Sequence, residues 1–79
     1  LTVDDYAWVT GELLAVAALA AMEQKPQLIA HGRGARRFGA SVRSLRMALD
    51  RGLPERPGPQ GQPRGQWLEH LMDAIERGV

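Results

Sequence analysis

The stretch Ala35-Arg36-Arg37-Phe38-Gly39-Ala40-Ser41-Val42-Arg43-Ser44-Leu45-Arg46-Met47-Ala48-Leu49 decides the reading of the fold. Gly39 supplies a turn, and Ser41 follows it as an N-cap whose hydroxyl can accept from an amide of the next helical turn. From Ser41 to Arg51, Val42, Leu45, Ala48 and Leu49 share one apolar face, and Arg43, Arg46, Met47 and Asp50 lie away from it. Gly52 terminates that helix. Phe38, Ala40, Leu45 and Ala48 are the expected common core of the helices flanking the turn. Ala35 is small enough to let the second helix approach closely.

Upstream, Pro26–Phe38 is less regular, because Gly32 and Gly34 disfavour a helix interior. The residues allow a short helix with a loosened middle. They equally allow a helix over Pro26–His31, a glycine elbow, and one more turn at Ala35–Phe38. Before Pro26 the spacing predicts a helix from about Val3 to Gln24. Thr2 caps it, and Asp4 and Asp5 face the positive end of its dipole. Val9, Leu13, Val16, Ala17 and Ala20 form its main stripe, and Trp8, Leu14, Leu19 and Met22 widen it, so burial on more than one side is expected. Ala15, Ala17, Ala18, Ala20 and Ala21 permit close helix approach, either within the chain or across a homodimer seam.

Downstream, residues 53–65 hold four prolines and three glycines and read as a linker. A last amphipathic helix occupies about 66–77, with Pro63 able to open it and Gly78 closing it. Trp67, Leu68, Leu71, Met72 and Ile75 repeat along one side. The expectation is one all-α domain over residues 1–79, of three to four helices, with the Pro/Gly-rich linker before the last.

Seventy-nine residues support one small core, and 44% of them are hydrophobic. Only Tyr6, Trp8, Phe38 and Trp67 are aromatic, so that core is aliphatic. Without cysteine there is neither disulfide nor thiolate metal site. The apolar run Leu13–Met22 is too short to cross a bilayer, and the acids before it have the wrong sign for a secretion signal, so a cytoplasmic location is expected. Charge is sorted by position. Residues 1–24 carry Asp4, Asp5, Glu12 and Glu23 and no base. Residues 25–51 carry Lys25, Arg33, Arg36, Arg37, Arg43, Arg46 and Arg51 against Asp50 alone, a net of +6 inside a chain of net +1. Such a block points to a polyanion or an acidic partner surface.

The residues around Gly39 resemble the helix-turn-helix unit of DNA-binding proteins over roughly 20 positions. The resemblance implies double-stranded DNA as partner and a role in transcription or recombination. It implies that Ser41, Arg43, Ser44, Arg46 and Met47 face the major groove, and that Lys25, Arg33, Arg36 and Arg37 meet phosphates. Gly34 departs from the pattern, which wants an apolar residue there. A homodimer would suit recognition by so small a module. The alternative is a protein-interaction module, with the last helix docking through Trp67, Leu68, Leu71 and Ile75 into a partner or a second copy. Gly32-Arg33-Gly34 does not make a phosphate loop, since no strand precedes it and position 37 is arginine. His31 and His70 show no ligand spacing, so no metal or other cofactor is expected. Glu69, Asp73 and Glu76 read as solvated surface. With no thiol, triad or evident pocket, an enzyme is not expected.

Overall fold

The computed structural model describes residues 2–79 and contains α1 (Val3–Ala21), α2 (Lys25–Arg37), α3 (Val42–Gly52), a 3-10 turn at Pro59–Gly61, and α4 (Arg64–Glu76). The chain is all-helical; no strand occurs among the described residues. The molecule measures 42 × 21 × 20 Å. α1 packs on both α2 and α3, and α4 closes the other side of that pair. The core is aliphatic: Val16, Ala20, Leu28, Leu45, Leu49, Leu53, Leu68, Leu71, Met72 and Ile75.

α1 opens with a reciprocal capping box. The Thr2 hydroxyl accepts from the Asp5 amide at 3.1 Å, and the Asp5 carboxylate accepts from the Thr2 amide at 2.9 Å. α1 ends at Ala21, three residues before the sequence expectation, in a Schellman motif. The Gln24 amide donates to Leu19 O, the Glu23 amide to Ala20 O, and Glu23 is left-handed at φ 56°. α2 ends in the same way: the Ala40 amide donates to Ala35 O and the Gly39 amide to Arg36 O, with Gly39 at φ 109°. Ala35 and Ala40, the apolar pair of that motif, are both buried. Ser41 then caps α3, accepting from the Ser44 amide at 3.0 Å.

The elbow allowed at Gly32 and Gly34 is not present: α2 is one continuous helix. Both glycines are packing positions. A Cβ on Gly32 would lie 2.9 Å from Ile75 Cγ1, and one on Gly34 would strike the Glu12 carboxylate. The helix-propensity cost of about 1 kcal/mol per glycine is offset by close approach of α4 and α1. Two apolar residues expected inside are outside. Phe38 is 41% exposed and stacks on Trp8 of α1 at 5.4 Å, and Val42 is exposed at the first turn of α3.

The linker 53–65 has a defined path. The Gly58 amide donates to Gln62 O at 2.7 Å, and Gly58 packs so close to Trp67 that a Cβ would lie 2.7 Å from its Cγ. Arg64 ties its start to α3. The guanidinium donates to Pro54 O and Leu53 O, both at 3.0 Å, and to Asp50 Oδ1 at 2.8 Å. Arg64 also donates to Asp50 O, so the orphan carbonyls of Asp50 and of the C-cap Leu53 at the end of α3 are satisfied by a side chain from α4.

Candidate functional site

Two surfaces could carry function: the basic face around the α2–α3 turn and the outward face of α1. On the first, the structure corrects the expectation of a free arginine cluster. Arg33 donates to Ala74 O at 2.9 Å and to Ile75 O at 3.4 Å. Arg36 forms an ion pair with Glu76 (Nε to Oε1, 2.5 Å) and donates to Ala40 O at 2.7 Å. Arg37 donates to Gly78 O at 2.6 Å. Three arginines of α2 therefore converge on the C-terminal end of α4, where the helix dipole is negative and α4 supplies no base of its own in its last turn. Glu76 holds the Arg36 guanidinium protonated to still higher pH than usual. These three cations tie α2 to the C-terminal end of α4.

Arg46, on α3, pairs with Glu69 of α4; both side chains are about half exposed. Lys25 sits 5.5 Å from the Trp67 ring centre, with its Nζ 3.3 Å from His70 Nε2. Ser41 and Ser44 bond to each other and cap α3. Arg43 and Arg51 have no hydrogen-bond or ion-pair partner among the described residues, and both are exposed. With exposed Met47 they form a line at i, i+4 and i+8 along the outer side of α3. Of the nine residues expected to meet DNA, that leaves Arg43 and Met47 unengaged and outward.

The last helix is not a free docking element. Leu68, Leu71 and Ile75 are buried in the core of this chain and Trp67 is half-buried against the linker. The carboxylates read as solvated surface do lie at the surface, Glu69 and Asp73 more than half exposed, and each also pairs with an arginine: Glu69 with Arg46, Asp73 with Arg77, Glu76 with Arg36.

The unpartnered apolar surface lies on α1. Val16 and Ala20 face the core, and Ala15 and Ala17 are half-buried, so part of the alanine run is internal packing. The opposite side carries Val3, Ala7, Gly11, Leu14, Ala18 and Ala21, all exposed, with Val3 at 85% and Leu14 at 67%. A Cβ at Gly11 would meet nothing within 4 Å. Beside this face the Glu12 carboxylate accepts from His31 Nδ1 at 3.0 Å. Sequence reading missed that pair and the capping by Arg64, because residues 19 and 10 or more apart meet only through the packing of helices. A signal for the outward face existed in the sequence: an α1 hydrophobic all round needs cover on both sides. No protein-family model, curated protein sequence or solved structure matches the chain.

Proposed function

We propose that this chain is a helical association module that pairs with a second copy of itself through the outward face of α1. The observation that carries the reading is that face: Ala7, Gly11, Leu14, Ala18 and Ala21 run along one side of a 19-residue helix, exposed and without a charge among them. At about 1.5 Å per residue the helix offers a seam roughly 28 Å long. Small residues let two backbones approach, and Leu14 supplies the knob. The same patch on both copies makes the contact isologous and closed. A stable interface buries about 800 Å² per partner, roughly one sixth of the 4912 Å² this chain exposes. Sedimentation equilibrium tests it. The expected result is a dimer that Leu14→Glu converts to monomer without loss of helicity. A monomer at about 100 μM, or a dimer indifferent to Leu14→Glu, overturns the reading; affinity of that order is about 5.5 kcal/mol.

A second reading retains the resemblance to a helix-turn-helix unit and takes double-stranded DNA as the partner. It is favoured by the Arg43–Met47–Arg51 line on the helix that follows the Gly39 turn. Two copies would present two Arg43 and two Arg51. Four phosphates engaged give a slope of log K against log salt near about −3.6. A gel-shift titration at two salt concentrations checks this. A flat salt dependence, or equal binding by an Arg43→Ala/Arg51→Ala variant, rejects it.

A further inference from the structure

Where the end of α1, the start of α2, the linker and α4 meet, there is a half-open cleft of about 410 Å³. Its floor is Ala20, Leu28, Leu53 and Leu71, all core residues. Its walls are Trp67 and the Pro57–Gly58–Pro59 segment. The walls are built, not incidental. Gly58 packs on the Trp67 ring, with a Cβ there falling 2.7 Å from Cγ, the Gly58 amide closes on Gln62 O, and Arg64 holds the carbonyls of Leu53 and Pro54. Three charged side chains stand at the mouth: Glu23, Lys25 and Arg56. Arg56 pairs with Glu23, which neutralises both. The Lys25 ammonium is left over the Trp67 face and beside His70, with no carboxylate partner among the described residues. An apolar floor and one cation without a carboxylate partner at the rim are the two halves of an amphipathic anion site.

We propose that this cleft binds a small free carboxylic acid with an apolar body. The body lies on Leu28, Leu53 and Leu71 between Trp67 and the prolines, and the carboxylate accepts from Lys25 Nζ. The size of the cleft lies within the range of small-molecule sites, about 300–1,000 Å³, and the mouth carries a net single positive charge. This site is distinct from the outward face of α1 and does not depend on dimerisation.

Amide NMR titration of the whole chain with octanoate, octanol and octylammonium tests the proposal. Octanoate is expected to give saturable shifts at the amides of Ala20, Lys25, Leu28, Leu53 and Gly58 and at the Trp67 indole. Octanol should bind about tenfold more weakly, the worth of one charge-assisted hydrogen bond, and octylammonium more weakly still. Lys25→Met should reduce octanoate to the affinity of octanol, Lys25→Arg should retain it, and Leu14→Glu should leave it unchanged. Lys25 is exposed, so both variants keep the core. Absence of saturation, equal binding of octanoate and octanol to the wild type, or shifts gathered on Val3, Leu14 and Ala18 would overturn it.

Discussion

Arg64 shows how much depends on which neighbour a single side chain meets. Its fork reaches the carbonyls of Leu53 and Pro54 and the Asp50 carboxylate together, and Asp50 raises the pKa of the guanidinium further. An ammonium cannot span those acceptors. Arg64→Lys is therefore expected to lower the thermal midpoint by several degrees, while Arg43→Lys, on the free outer line of α3, leaves it unchanged; circular-dichroism melts distinguish them. Glu23 is the opposite case, a side chain where glycine fits better. Its φ of 56° costs an L-residue about 1–2 kcal/mol, and its ion pair with Arg56 is exposed and worth little. Glu23→Gly should stabilise the chain by about 0.5–1 kcal/mol, after the greater freedom of glycine in the unfolded state is counted. A urea titration measures it. Neither effect could be read from the residue type alone, because each depends on a backbone angle or on carbonyls supplied by another helix.

The same residue type has opposite consequences in different helices. Gly11 of α1 meets nothing within this chain, so Gly11→Ala should stabilise the monomeric Leu14→Glu variant by about 1 kcal/mol. Gly52 ends α3 against the α1 backbone, where a Cβ would lie 2.8 Å from Ala17 Cα. Backbone cannot move aside as a side chain can, so Gly52→Ala should destabilise by about 1–3 kcal/mol. Paired denaturant curves compare the two. The first turn of α1 carries a pH signature. The Thr2 amide and then the Thr2 hydroxyl bonding to the Asp5 carboxylate hold its pKa below the ordinary value. A depressed folded pKa stabilises at all pH above the unfolded value, and that contribution is lost as pH falls through the lower folded one. Amide exchange at Asp5 and Tyr6 should accelerate over that acid interval, and Asp5→Asn should remove the dependence. The caps at Thr2, Ser41 and Gly39 were legible because capping is local: each residue performs the role its position implies. The continuity of α2 was not, because Ile75 and Glu12, which fill the space beside its glycines, lie 43 and 22 residues away in sequence.

For the whole molecule, charge and apolar surface were redistributed by packing. The basic block of residues 25–51 looked like one surface in sequence. Folding directs Arg33, Arg36 and Arg37 to the end of α4 and Arg46 to Glu69, leaving Arg43 and Arg51 unpaired. The alanine run of α1 was divided between the core and the solvent side. If a second copy covers that side, stability becomes linked to association. The thermal midpoint should then rise with protein concentration in the wild type and be constant in Leu14→Glu, which calorimetry at two concentrations measures.

Sequence by itself determined the all-helical class, the positions of α1, α3 and α4, the caps at Thr2, Ser41 and Gly39, and most of the aliphatic core. Those properties follow from spacing at 3.6 residues and from side chains bonding to amides two or three residues away. Tertiary structure alone decided which arginines stay free, which side of α1 is left bare, and that the prolines of the linker wall a cleft. Each of these depends on the distance between groups far apart in the chain, and that distance is set only when the helices pack.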